Sequence, residues 1–167
     1  MAYPSLAIAN YFIDRGASEK DFMDPLRIQK LVYIAHGWYL AVYGEPLLKE
    51  KVQAWKYGPV IPSLYRNFKV YGNGPILDPA LDLESFDVTI PQVPEDDTKA
   101  RAVLDRVWEL YRPYSGVRLS NLTHQPDTPW HAIWSQRSDG KAKIPNDLIQ
   151  NHFIQIAHER PRKAPAQ

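Results

Sequence analysis

The residues best suited to chemistry lie in one short stretch of the chain. His124, Asp127 and His131 flank a proline-bearing turn, so their side chains could approach each other. Two imidazoles and a carboxylate can ligate a metal or act as an acid–base pair. The spacing matches no zinc motif, and we expect Thr123, His124 and Asp127 to satisfy amides and carbonyls at helix ends. We predict no catalytic residue, no metal and no cofactor. A small hydrolase or metal-dependent enzyme that uses His124 and His131 is the alternative.

Nucleophile and nucleotide motifs are missing from the sequence. It contains no Walker A loop, no G-x-G-x-x-G and no G-x-S-x-G. Ser63, Ser115 and Ser120 stand at expected helix starts, where a hydroxyl group caps a backbone amide. Asp24 is interpreted as a cap in the same way. The sequence therefore favours a protein that is not an enzyme.

The composition is that of a globular protein. The chain has 167 residues with a net charge of +1, and 44% of them are hydrophobic and 23% charged. No apolar run approaches the roughly 20 residues that span a bilayer, and the N-terminus lacks the features of a signal peptide. The absence of cysteine fits a reducing compartment. We expect a cytoplasmic protein without a membrane partner.

Nucleic-acid binding is weakly indicated. Arg27 and Lys30 lie three residues apart, as do Arg66 and Lys69, so each pair should share a helix face. The low net charge argues against a dedicated phosphate-binding surface. We interpret both pairs as solvated helix faces and predict that nucleic acid is not a partner.

Hydrophobic periodicity and proline positions predict a mainly α fold. We expect a single compact helical domain over 1–159, with one short β-hairpin or strand pair, and a disordered basic tail over 160–167. Three predicted helices end at a glycine: the first covers about 5–15 and stops at Gly16, the second begins at 25 and stops at Gly44, and the third begins at 62 or 63 and stops at Gly72. The four further predicted helices cover about 98–112, 116–124, a stretch that begins at 129, and 145–158. Residues 51–57 are predicted to be extended.

The connection over 73–97 differs from the rest of the chain. It holds four prolines and seven acidic residues and no Lys or Arg. Alternating apolar residues at Phe86, Val88 and Ile90 predict a short strand. A solvated, variable connection is the simpler interpretation. The alternative is that this acidic loop is a second contributor to partner binding.

Aromatic residues cluster around the Gly58–Pro59 turn. Trp55, Tyr57 and Tyr65 fall on or beside this turn, where they could belong to the core or anchor a protein partner. Gly37 lies inside the second helix, and a glycine there indicates close approach of another backbone or ring.

Two segments, 29–68 and 115–134, resemble one known family. In order, they contain a Lys-Leu helix running into G-W-Y-L-A, a G-x-P-L turn, A-W-x-x-G-P-V-x-P, L-S-x-x-T-H and P-W. This pattern is similar to the Panacea domain, the SocA/GepA-like family of phage- and prophage-associated antitoxins. His36 departs from it, since glutamine is more frequent there. The motif residues are Lys30, Gly37, Trp38, Gly58, Pro59, Pro62, Thr123, His124, Pro129 and Trp130.

The resemblance implies a binding function. Family members neutralise a co-encoded toxin by protein–protein contact, and their toxins include inhibitors of translation and of nucleotide metabolism. An adaptor that delivers the toxin to a protease is an alternative, and homo-oligomers are an open possibility. The motif residues are expected to shape the scaffold. The residues predicted to contact the partner are Trp55, Tyr57, Val60, Tyr65 and Arg66.

Overall fold

The fold is built around one long central helix. A computed structural model describes residues 2–83, 86–136 and 140–159, so the predicted tail at 160–167 lies outside the described residues. The elements in chain order are α1 (Ser5–Ser18), α2 (Pro25–Tyr43), β1 (Val52–Trp55), β2 (Gly58–Val60), α3 (Pro62–Phe68) with a 3₁₀ turn (Lys69–Tyr71), α4 (Thr98–Tyr111), α5 (Gly116–Thr123), α6 (Pro129–Trp134), β3 (Lys143–Ile144) and α7 (Asn146–Glu159).

Helix α2 begins and ends at the predicted residues. The Asp24 side chain accepts a hydrogen bond from the backbone N–H of Arg27, Pro25 occupies the first turn, and Gly44 closes the helix with φ of 71°. The helix is buried along most of its length and packs against α1, α4, α5 and α7. It is therefore the element against which the other helices are positioned.

Gly37 makes the contact between α2 and α7 possible. A Cβ atom at this position would lie 2.2 Å from Cε2 of Phe153. The ring of Phe153 also packs edge-on against Trp38, with centroids 5.2 Å apart. The predicted close approach of a ring to Gly37 is confirmed. Beside it, buried His36 joins the same helices, since its Nε2 lies 3.0 Å from Oδ1 of Asn146.

A small antiparallel sheet lies on one side of the helices, in the order β2-β1-β3. Val52 and Ala54 of β1 are buried, while Gln53 and Trp55 on the opposite face are partly exposed. The mainly α fold with a short strand group is confirmed. The third strand, β3, was not predicted.

The first helix is longer than predicted. It continues through Gly16 to Ser18, so Gly16 does not end the helix. A Cβ atom at Gly16 would lie 2.3 Å from the backbone oxygen of Asp21. The absence of a side chain at Gly16 therefore allows the backbone at Asp21 to pack closely against α1.

The acidic connection over 73–97 does not form the predicted strand at 86–90. The described part of it contains an isolated bridge in which the Asp82 N–H donates to the Thr89 carbonyl over 2.8 Å. The apolar residues of 86–90 are exposed, so no buried face stabilises a strand there. Asn10 of α1 holds the connection to the core at two points, Ala80 and Pro91.

Within the described residues, no helix is both long enough and apolar enough to span a bilayer.

Candidate partner-binding site at the hairpin

The β1–β2 hairpin turns at Lys56 and Tyr57, and its inner side lies on helices α2 and α5. Gly58 has φ of 119°, a conformation that side-chain-bearing residues rarely adopt. A Cβ atom at Gly58 would lie 3.0 Å from Nζ of Lys30 and 3.5 Å from Cβ of His124. The hairpin therefore needs glycine both for its backbone angle and for its close approach to the helices.

Helix α2 holds the second strand of the hairpin by its backbone. The Nε2 of Gln29 donates to the Ile61 carbonyl, and its Oε1 accepts from the Ile61 N–H, both over 3.0 Å. The Nζ of Lys30 donates to the Pro59 carbonyl over 2.9 Å. Gln29 and Lys30, which are adjacent in α2, therefore bind the carbonyls of Ile61 and Pro59.

Helices α5 and α6 hold the other end of the hairpin. The hydroxyl of Ser120 donates to the Tyr57 carbonyl over 2.8 Å. The indole N–H of Trp130 donates to the Trp55 carbonyl over 2.6 Å. Together with α2, these helices supply a side-chain donor to each of four alternate carbonyls, at 55, 57, 59 and 61. The hairpin is consequently held rigidly by side chains distant in sequence.

Lys30 is an unusual donor because it is buried. Its side chain is 1% exposed, and burial lowers its pKa to about 7. No carboxylate among the described residues forms an ion pair with it. The neutral amine can still donate to the Pro59 carbonyl, which suits a structural role at the base of the hairpin.

The polar side chains around His124 form local hydrogen bonds near the end of α5. The Nδ1 of His124 donates to the Ser120 carbonyl, and the Thr123 hydroxyl donates to the Leu119 carbonyl over 3.0 Å. The expectation that these side chains satisfy a helix end is confirmed for Thr123 and His124. His131 is exposed beside Trp130. No group of three or more His, Cys, Asp or Glu in the described ranges could hold a metal ion.

The predicted serine caps are only partly confirmed. Ser115 caps α5 by accepting from the N–H of Arg118 over 3.1 Å. Ser63 and Ser120 are not caps, since Ser63 donates to a carboxylate oxygen of Glu50 and Ser120 lies inside α5. Their donors serve contacts between elements, which local spacing does not reveal.

The outer side of the hairpin is aromatic and basic. Tyr57 is 65% exposed and Tyr65 is 47% exposed. The rings of Trp55 and Tyr65 pack edge-to-face with centroids 5.1 Å apart. Lys56 and Arg66 are exposed beside them. We call this surface of Trp55, Lys56, Tyr57, Tyr65 and Arg66 the hairpin face.

A family model described as antitoxin SocA-like, Panacea domain, matches residues 28–131, which include the hairpin and all of its donors. The chain belongs to this family. It is also 32% identical over 128 residues to Antitoxin SocA from Caulobacter vibrioides (strain NA1000 / CB15N), covering 76% of this chain and 68% of that protein. No solved structure matches the chain.

Several of the Panacea motif residues lie on the buried side of the hairpin, whereas Gly37 and Trp38 pack against Phe153 of α7. Lys30 and Trp130 bind its carbonyls, and Gly58, Pro59 and Thr123 are buried at its base. Sequence reasoning missed Gln29 and Ser120 as donors, although Gln29 begins the first resembling segment and Ser120 lies in the L-S-x-x-T-H motif. A polar residue next to a motif lysine is the signal that could have identified Gln29.

One predicted contact residue is buried. Val60 is 9% exposed and pairs with Gln53 inside the sheet, so it has little surface to offer a partner. Its burial does not favour a contact with the partner. Its burial arises because β2 is covered by α2 and α5, a packing that the position of Val60 beside a turn does not indicate.

The expected solvated cations of α2 are also buried. Arg27 forms an ion pair with Asp21 at 2.7 Å and donates to the Arg112 carbonyl over 2.9 Å. Lys30 lies under the hairpin. Neither residue belongs to a solvated helix face, and neither is placed to bind phosphate groups at the surface.

Proposed function

We propose that this protein is an antitoxin that neutralises a co-encoded toxin by binding it directly through the hairpin face. Membership of the antitoxin SocA-like family supports the antitoxin role. The hairpin face is assigned as the binding surface because the two sides of the hairpin differ. Its inner side is held by motif residues, while Tyr57 and Tyr65 remain exposed on its outer side.

The rigidity of the hairpin supports a binding role. Aromatic side chains lose little entropy on binding when the backbone that carries them is already fixed. A specific protein interface buries about 1,600 Å² in total and depends on a few aromatic or arginine residues near its centre. Trp55, Tyr57, Tyr65 and Arg66 meet this description. The toxin partner is expected from membership of the family.

The first prediction concerns the two exposed tyrosines. We expect Tyr57→Ala combined with Tyr65→Ala to abolish protection of cells that co-express the neighbouring toxin gene. Loss of two central aromatic contacts should weaken binding of the purified toxin at least about 30-fold. The thermal unfolding midpoint should fall only modestly, because Tyr57 is exposed and Tyr65 loses one edge-to-face contact with Trp55. Growth assays, titration calorimetry and circular dichroism provide the three measurements.

The control is Phe22→Ala, which removes an exposed ring that lies between α1 and α2. It should leave protection unchanged. If the double tyrosine variant is folded and still protects, the assignment of the hairpin face is wrong. If the wild-type protein neither protects cells nor binds the toxin, the antitoxin proposal itself is rejected. The half-life of the toxin in the same strains separates masking from delivery to a protease.

A further inference from the structure

The segment that forms the hairpin face is basic, although the net charge of the whole chain is close to zero. Residues 51–71 contain four Lys or Arg and no Asp or Glu. The carboxylate that precedes them, Glu50, is bound by the hydroxyl groups of Ser5 and Ser63, over 2.7 and 2.9 Å. β3 adds exposed Lys143, which pairs with Gln53. The surface around the hairpin is therefore cationic at a local scale.

Arg66 differs from the other arginines that the structure describes. Four of them form ion pairs with carboxylates, one binds backbone carbonyls and one lies over a tyrosine ring. These are Arg15, Arg27, Arg106 and Arg112, then Arg101, and finally Arg118. Arg66 has none of these contacts within the described residues, and neither it nor Lys56 has a carboxylate within ion-pair distance there. Their donors are therefore available to a partner outside the chain.

The arrangement of cations and rings favours a protein partner over nucleic acid. Bases stack on open aromatic faces. Here the Nζ of Lys141 lies 5.6 Å from the centroid of the Trp55 ring, and the Nζ of Lys56 lies 5.4 Å from that of Tyr57. The Trp55 ring also packs edge-to-face with Tyr65. One cation thus lies over the Trp55 ring and one over the Tyr57 ring, which leaves less open aromatic face for a base to stack on. The surface presents ammonium and guanidinium donors around an apolar centre.

We infer that the hairpin face binds an acidic surface of its protein partner, in which Asp or Glu side chains surround an apolar patch. The guanidinium of Arg66 can bind a carboxylate through two parallel hydrogen bonds, and Lys56 supplies a second charge-assisted donor. Electrostatic complementarity of this kind accelerates association and selects the partner. This inference rests on the proposed antitoxin function and specifies the class of toxin surface that the protein recognises.

Charge reversal tests the inference, with the purified toxin from the neighbouring gene as the probe. Lys56→Glu combined with Arg66→Glu should lower the association rate constant at least about tenfold at an ionic strength of about 0.05 M, whereas Lys56→Gln with Arg66→Gln should lower it less. The difference between the two variants should shrink at about 0.5 M salt, because screening weakens charge interactions. Stopped-flow fluorescence measures these rates. Lys20→Glu with Lys99→Glu, the same charge change at other exposed positions, is the control.

The outcomes are distinguishable. If the tyrosine variants weaken binding but charge reversal has no greater effect than its control, the acidic-partner inference is overturned while the antitoxin proposal stands. If the complex dissociates on nuclease treatment, nucleic acid occupies the surface and the inference is also overturned. If wild-type protein forms no complex with the toxin, the proposed function fails first. A toxin variant with an acidic residue changed to Lys that restores binding to the reversed protein supports the inference directly.

Discussion

The buried amine of Lys30 makes the stability of the protein depend on pH. Its Nζ donates to the Pro59 carbonyl, and burial lowers its pKa to about 7. In the unfolded chain, the pKa of a lysine is about 10.4. Between these values the unfolded chain binds a proton that the folded protein does not. The contribution of Lys30 to the free energy of unfolding therefore increases as the pH rises through this window, and is reduced as the pH falls towards 7.

This difference in pKa gives a prediction for Lys30→Met. Because the variant cannot titrate at this position, we expect the free energy of unfolding of the wild type to rise relative to that of the variant as the pH increases from about 7 to 9. The slope for one such group is at most about 1.4 kcal/mol per pH unit. Urea unfolding at several pH values measures it. Lys20→Met, at an exposed position, should run parallel to the wild type. A parallel course for Lys30→Met would contradict the prediction.

Individual residues were predictable where their role is local. Asp24 caps α2 and Gly44 ends it, because capping depends on a few neighbouring residues. The burial of Val60 and Lys30 was not predicted, since it depends on helices that are distant in sequence. The exposed Tyr57 and Tyr65 carry the proposed contact, but whether they touch a toxin stays a prediction.

The hairpin shows how a short element of low intrinsic stability can be made rigid. Two strands of four and three residues form few ladder hydrogen bonds. Side chains from three helices bind its alternate carbonyls instead. The hairpin and the helices should therefore unfold together.

Gln29→Leu tests the dependence of the hairpin on α2. The substitution keeps the approximate volume of the side chain but leaves the buried N–H of Ile61 without its partner. The Ile61 carbonyl loses the Gln29 donor but still accepts from the backbone N–H groups of Leu64 and Tyr65. One unsatisfied buried group costs about 1–3 kcal/mol, so we expect the free energy of unfolding to fall by about that amount. Amide hydrogen exchange at Ile61 should also accelerate. The exposed position Gln155 provides the control, Gln155→Leu. Equal stability of the two variants would show that the amide contacts are not needed.

At the level of elements, the sequence predicts helices better than strands. The first residue of α3 and α6 is a proline, and the bounds of α4 and α5 lie within a residue of those expected. β3 has two residues, Lys143 and Ile144, and its pairing depends on β1. A two-residue strand has no detectable alternation, so local pattern could not reveal it.

Charge is distributed unevenly along the chain as a whole. Residues 51–71 hold four of the 20 Lys and Arg and no acidic residue, whereas 73–97 hold seven of the 19 acidic residues and no Lys or Arg. Net charge and composition therefore could not indicate the kind of partner. The resemblance of the motifs supplied the family, and the division of the hairpin into a held side and an exposed side required the packing of distant helices.

The acidic connection is also part of the folded core at both of its ends. Ile76, Ala80 and Val93 are buried. The Nδ2 of Asn10 donates to the carbonyls of Ala80 and Pro91, over 3.0 and 2.9 Å, and its Oδ1 accepts from the Ala80 N–H over 2.6 Å. One buried amide thus brings together two points of the chain that are eleven residues apart.

Asn10→Ala should release this connection. The buried backbone groups of Ala80 and Pro91 lose their partner, so we expect the free energy of unfolding to fall by at least about 2 kcal/mol. Under native conditions, proteolysis should begin within 73–97, since local opening exposes that backbone before the helices unfold. Urea unfolding and mass spectrometry of the first cleavage products measure both effects. Asn121→Ala, at an exposed position of α5, should change neither. If Asn10→Ala unfolds globally before any cleavage in this region, the connection belongs to the same cooperative unit as the helices, and the prediction of local release is wrong.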